Sequence, residues 1–161
     1  MVMISMGVSG CGKATVANKL TGKLAWSFYD ADNFHPAENI AGMSQGAPLT
    51  DEDRSAWFSA LAKLATGALQ TNQLAGLACS ALKQKYRQQL IDDPTRVRFV
   101  YLKNSQTMLL QRMQPRSSHF MALEEPVDAL TLNAALEPAE IVERVIAELL
   151  PPDAGEDISQ Q

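Results

Sequence analysis

The sequence predicts an α/β fold with a parallel sheet, on three observations. Apolar runs of strand character alternate with helix-patterned segments along most of the 161 residues. The first run, Met3-Ile4-Ser5-Met6, turns straight into a glycine-rich loop, Gly7-Val8-Ser9-Gly10-Cys11-Gly12-Lys13, which opens into a helix-compatible segment. No internal repeat or domain-sized linker interrupts the alternation. Residues 1–150 therefore read as one domain, and the acidic stretch 151–161 after Pro151-Pro152 as a disordered tail.

Each element has its own signal. From Lys13 to about Leu24 a helix places Val16, Ala17, Leu20 and Leu24 on one face. Trp26 to Tyr29 is a short aromatic strand that ends in Asp30-Ala31-Asp32. A short helix lies within Asn33 to Met43, begun by Pro36 at its first turn, and Gly46 to Leu49 is a loop. Thr50, with Asp53 three residues on, resembles a capping box. It starts a helix to about Leu69 whose core stripe is Trp57, Leu61, Leu64 and Ala65. Leu74 to Ser80 reads as a buried strand, and a basic helix with Lys83, Lys85, Tyr86 and Arg87 follows. Arg98 to Leu102 has the strongest strand composition in the chain. Ser105 to Met113 is helical in pattern, Gln114 to His119 a basic loop, and Ala129 to Leu132 a last strand. Glu137 to Leu150 closes the domain as a helix with Ile141, Val145 and Leu149 on one face.

The totals exclude some functions. A net charge of −4 and a pI near 5.1 argue against a nucleic-acid-binding surface. The apolar N-terminal run has no basic region before it and is broken early by Gly7, so it reads as a buried strand, neither a signal peptide nor a membrane span. Two cysteines, Cys11 and Cys79, make neither a disulfide framework nor a metal motif, which suits a reducing cytoplasm.

The chemistry gathers at the carboxyl ends of the strands. Gly7, Gly12 and Lys13 fit the phosphate-binding pattern G-x-x-x-x-G-K-[ST] except at its last position, where Ala14 stands. Small residues let backbone N–H groups point at a phosphate, and the helix N-terminus adds partial positive charge. Lys13 would reach the β- and γ-phosphates, while the missing hydroxyl is the one that normally ligates Mg²⁺. Asp30 and Asp32 can both face the cleft only if the chain bends between them. One carboxylate would then hold Mg²⁺ and the other take a substrate hydroxyl's proton; the plainer alternative is a turn-capping pair. His35 either orients a hydroxylated substrate or caps the turn at Pro36. Arg54 and Lys83 suit an anionic substrate, or are solvated helix residues. Arg112, Arg116 and His119 fall in a polar stretch that either covers the phosphates or faces solvent. Neither cysteine has a His-Asp set that would make it a nucleophile.

These blocks resemble the gluconokinases, small phosphate-loop kinases of the shikimate- and adenylate-kinase-like group. The resemblance rests on Met6 to Lys13, Phe28 to Asp32 with His35-Pro36 and Asn39, Pro48 to Arg54 with Trp57, and Ala78 to Lys83 with Tyr86-Arg87. It continues through Phe99 to Leu102, Arg112, Arg116, His119 to Met121 and Leu123 to Pro126. It implies a three-layer α/β/α phosphate-loop fold with a five-stranded parallel sheet. It also implies ATP with Mg²⁺, transfer of the γ-phosphate to the 6-hydroxyl of D-gluconate, and no nucleic-acid or membrane partner. Family members commonly pair, so the resemblance leaves a homodimer open, with no stripe here that identifies an interface.

Carried over, the resemblance assigns Gly7, Ser9, Gly10, Cys11, Gly12, Lys13, Ala14 and Thr15 to the phosphates and Arg112 to the nucleotide side. Asp32 becomes the base or substrate ligand, with Asp30 near the metal. His35, Arg54, Lys83 and His119 go to the sugar acid, and Lys13, Asp32 and Arg116 to catalysis. Four departures stand out: Ala14 for Ser or Thr, Gly42 for a usual Lys, Ser118 for a usual Gly, and only Ala122 where the family carries a further lid segment. Thr15 is turned by about 100° from position 14 along a helix and does not substitute for it. The competing expectations are a non-catalytic nucleotide-binding relative and a kinase of another small hydroxy acid.

Overall fold

The strand that leads into the glycine-rich loop is the centre of the molecule. In the computed structural model, which describes residues 1–105 and 123–150, β1 (Val2–Met6) is buried along its whole length. On one side it pairs with β3 (Ala75–Ala78) and beyond it β2 (Ser27–Asp30). On the other lie β4 (Val97–Lys103) and β5 (Ala129–Asn133). All four pairings are parallel, giving the order β2-β3-β1-β4-β5. Central strands covered on both faces favour apolar residues, which is why β1 is apolar but for Ser5 and β4 is apolar from Phe99 to Leu102.

Side-chain alternation divides the core into two layers. Val2, Ile4 and Met6 pack with Val97, Phe99 and Tyr101 against helix α3 (Asp51–Gln70), through Trp57, Phe58 and Leu61. Tyr86 and Leu90 of α4 (Gln84–Leu90) join the same layer. Met3, Val100 and Leu102 face the other way, toward Val16, Leu20 and Leu24 of α1 (Lys13–Leu24) and Ile141, Val142 and Val145 of α5 (Pro138–Leu149). The expected α/β/α layering with five parallel strands is present.

Boundaries moved where tertiary contacts decide them. The strand expected to begin at Trp26 begins at Ser27, because Ala25 takes a left-handed turn that ends α1. Lys83, expected inside a helix, is instead the extended residue just before α4. The capping box at Thr50 is formed in both directions, Thr50 Oγ1 accepting from the Asp53 N–H and an Asp53 carboxylate oxygen from the Thr50 N–H. A short helix, α2 (Ala37–Ser44), follows Pro36 as expected. The helix and loop expected over 105–119 lie outside the described residues apart from Ser105, as does the tail.

The sheet and α1 approach closely at Gly76. A Cβ there would lie 2.5 Å from Thr21 Cγ2, and Thr21 is itself buried with its hydroxyl donating to the Ala17 and Asn18 carbonyls. Gly76→Ala should therefore lower unfolding free energy by about 1–3 kcal/mol through overpacking. Adding Thr21→Ser, which removes the clashing methyl and keeps the hydroxyl, should restore most of the loss in urea denaturation. Unchanged instability in the double variant would mean the clash is not the cause.

Candidate active site

The helices after β1 and β3 leave the sheet on opposite faces, α1 on one and α4 on the other, so a crevice opens between the ends of those two neighbouring strands. The glycine-rich loop lies at its edge. Gly7, Gly10 and Gly12 all have positive φ (144°, 77° and 94°), the conformations that wrap a backbone around an anion. Gly7 has a second reason to be glycine, since a Cβ would sit 2.8 Å from the Leu102 carbonyl oxygen.

Gly12 caps α1 without a side-chain hydrogen bond, and no acid occupies the first turn. The leading N–H groups of α1 therefore have no side-chain competitor for a phosphate. Lys13 Nζ donates to the Val8 carbonyl at 3.0 Å, folded back over the loop. The Cys11 side chain is buried in the α1–α5 layer, which leaves its backbone to face the loop. Ala14 is exposed at the position that carries the Mg²⁺-ligating hydroxyl in the phosphate-binding pattern.

The opposite wall begins at the end of β2. A single 3-10 turn, Ala31–Phe34, bends the chain there, and Asp30 Oδ1 accepts from the Asp32 N–H at 3.1 Å. Capping and cleft-facing are thus compatible readings: Asp30 holds the turn, and the Asp32 side chain projects with 85% exposure. The indole of Trp57 fastens the turn by donating to the Ala31 carbonyl at 2.8 Å. The same indole stacks on His35, with ring centroids 4.0 Å apart and 20° between planes.

His35 is the C-cap of the turn, with its side chain only 8% exposed, Nε2 at 3.9 Å from Asp32 Oδ1, and a buried Nδ1 that has no hydrogen-bond partner among the described residues. Burial lowers its pKa, partly offset by Asp32. The ring is neutral when the protein is folded at neutral pH, able to offer one N–H and one lone pair.

Arg54 meets Lys85 and Tyr86 of α4 at Asp51, the first residue of α3, while Lys83 acts there only through its charge. Asp51 accepts from Lys85 Nζ (3.1 Å) and Tyr86 Oη (3.0 Å) and lies 3.8 Å from Arg54 Nη1. These hydrogen bonds, with the charge of Lys83, hold its carboxyl below the ordinary range. Asp51 thus ties the first turns of α3 and α4 together through Arg54, Lys85 and Tyr86. Its clue in the sequence was the number of basic residues at 83–87 rather than its own position.

Cys79 follows directly on β3 and is buried, with the charges of Lys13, Asp32 and Asp30 as lesser influences on it. Burial pushes its thiol up to about 12, so it stays protonated and is no nucleophile. Thr15 lies elsewhere, lining a recess of about 190 Å³ with Gly12, Ala134 to Pro138 and Ile141. Residues 134–138 were missed at the sequence level, since a small-residue loop before a helix carries no chemical signature. Arg112, Arg116 and His119 lie outside the described residues. Among the described residues no group of three or more His, Cys, Asp and Glu side chains could hold a metal ion, and no helix is long and apolar enough to cross a membrane.

The profile of the family described as "Shikimate kinase" matches residues 9–148. A probable gluconokinase of Xenopus tropicalis is 38% identical over 177 residues, covering 99% of this chain and 88% of that protein. The gluconokinase of Gluconobacter oxydans is 42% identical over 119 residues, 74% of this chain and 67% of that one. The chain belongs to the gluconokinase family. The crystal structure of a gluconokinase from Sinorhizobium meliloti superposes on this family member with a TM-score of 0.75 at 36% identity, covering 91% of this chain and 89% of the other. The alignment with the frog gluconokinase is longer than this chain's 161 residues, so that relative carries residues with no counterpart here.

The buried neutral His35 has a pH consequence. Below about 6.5 an unfolded histidine takes up a proton that the folded ring resists, so stability contributed by the neutral ring is lost as pH falls through that value. Urea midpoints should drop more for the wild type than for His35→Gln between pH 7.5 and 5.5. Equal drops would mean the ring is protonated as readily when folded as when unfolded.

Proposed function

We propose that this protein transfers the γ-phosphate of ATP to the 6-hydroxyl of D-gluconate. What supports the reading is an uncapped, glycine-lined helix N-terminus with Lys13 after β1, in a sheet whose parallel neighbours end in an exposed Asp32 beside a neutral His35 and in the stretch that carries Lys83. An ATP phosphate tail fits the loop, and a sugar acid fits the wall, its carboxylate toward Arg54 and Lys83 and its hydroxyls toward His35 and Asp32. The 190 Å³ recess beside Thr15 extends the loop on the side where the rest of a nucleotide would lie.

In the transfer, Lys13 exchanges the Val8 carbonyl for the β- and γ-phosphate oxygens, and the loop N–H groups steady the same charge. Asp32 accepts the proton of the attacking hydroxyl as the oxygen–phosphorus bond to the acceptor forms and the bond to the bridging oxygen of ATP breaks. A bound Mg²⁺ would supply charge neutralisation between the phosphates. Asp30 would be the side chain to hold it, with one of its oxygens engaged by the Asp32 N–H. With Ala14 offering no oxygen, phosphate and water would complete its shell. Arg112 and Arg116 belong on the nucleotide side of this reading and His119 on the acceptor side. A cytoplasmic location is part of it as well.

Ala14 also supports a second reading, a relative that binds nucleotide without turnover. Calorimetric titration with Mg-ATP and gluconate, run beside a coupled assay for 6-phosphogluconate, separates the two; heats of binding without product would favour the second. A panel of sugar acids and shikimate addresses another acceptor. If the enzyme is active, restoring the ligand with Ala14→Ser should raise turnover by roughly 5- to 100-fold, corresponding to about 1–3 kcal/mol of barrier. Equal rates for the two proteins would remove the metal-ligand argument.

A further inference from the structure

Arg87 is the one charged residue that is buried among the described residues, at 3% exposure. A guanidinium is costly to bury, and an apolar side chain of that volume would fill the same space more favourably. Its hydrogen bonds show what it holds. Nη1 donates to the carbonyls of Ala81 (2.9 Å) and Leu82 (3.2 Å), while Nε and Nη2 donate to Gln84 Oε1 (3.1 and 2.7 Å). Ala81 has φ +43°, a left-handed conformation that a non-glycine residue keeps only under constraint.

Glu124 reaches the same stretch from the other side. Its N–H donates to the Leu82 carbonyl at 2.8 Å, and its Oε2 accepts from the Gln84 N–H at 2.7 Å, capping α4 from outside the helix. Lys83 is therefore flanked by residues pinned at both neighbours. With described residues its ammonium makes no hydrogen bond or ion pair, although its charge acts on Asp51. The Ser80 carbonyl just before the pinned stretch accepts from the Gly7 N–H at 3.3 Å, so the stretch is also registered against the phosphate loop.

We propose that Arg87 and Glu124 form a positioning clamp that fixes residues 80–84 and so aims Lys83 at the anionic group of the acceptor. The aim toward the acid rests on the gluconate reading above; the clamp itself does not. Neither residue touches the reacting atoms. Both act through the backbone that carries Lys83.

The test uses the full chain with Arg87→Lys, which keeps the charge but loses the fork, and Glu124→Gln, which keeps the shape but loses the charge. Each should raise the KM for gluconate by about tenfold while the KM for ATP stays within about twofold, as expected for losing a charge-assisted hydrogen bond that serves one substrate only. Their effects should be non-additive in the double variant. In the substrate-free protein, amide hydrogen exchange should speed up over residues 80–84 and stay unchanged in β1 and β4. A joint rise of both KM values, or an unchanged KM for gluconate, overturns the aiming role.

Unchanged exchange at 80–84 in both variants overturns the clamp. If Arg87→Lys does not fold, Glu124→Gln carries the same measurements alone. If the wild type neither binds nor turns over gluconate, the acceptor reading fails, and the exchange experiment still decides the clamp.

Discussion

The structure depends on a parting of two neighbouring strands. β1 and β3 run side by side in register, yet the chain leaves β1 toward one face of the sheet and β3 toward the other. The single bond from the Gly7 N–H to the Ser80 carbonyl crosses that divergence. It requires a residue without a side chain at position 7, where Leu102 of the adjoining strand leaves no room. The phosphate loop, the turn carrying Asp32 and the stretch carrying Lys83 are all consequences of that geometry. Each is the first irregular segment beyond a strand end, and the parallel register brings those ends to one level.

Charge in the crevice is arranged in two separate sets. On the phosphate side Lys13 and the N–H groups of α1 supply positive potential, and no acid in the first turn weakens it. The other set gathers Arg54, Lys85 and Tyr86 around Asp51, whose carboxylate holds the neighbouring cations together, with the Lys83 charge adding to the same field. The apolar stack of His35 on Trp57 separates this polar wall from the core and keeps the imidazole uncharged.

Much of this was legible in the residues. The glycine-rich loop, its lysine and the helix behind it announced themselves through small residues and position after an apolar run. The capping box at Thr50 and the α5 stripe of Ile141 and Val145 followed from local rules alone, because helix capping and periodicity act within a few residues. Asp51 and Arg87 were not legible. The first looked like one more acid at a helix start and the second like one more cation in a basic helix, since partners 35 residues away or a carbonyl on a preceding loop leave no mark in the local pattern. The recess along residues 134–138 was missed for a related reason, being made of shape rather than functional groups.

The amino-acid order by itself determined the layered α/β class, the phosphate loop with its alanine at position 14, and the kinase family to which these belong. Those properties reside in the type and spacing of neighbouring residues. Only the tertiary structure decided that Asp30 holds a turn while Asp32 projects, that the His35 side chain is buried and neutral against Trp57, and that Arg54 and Lys85 share one anion, Asp51. Each of those depends on backbone segments that parallel pairing brings together from distant parts of the chain. The burial and the Coulomb interactions that set their chemistry exist only once that pairing is complete.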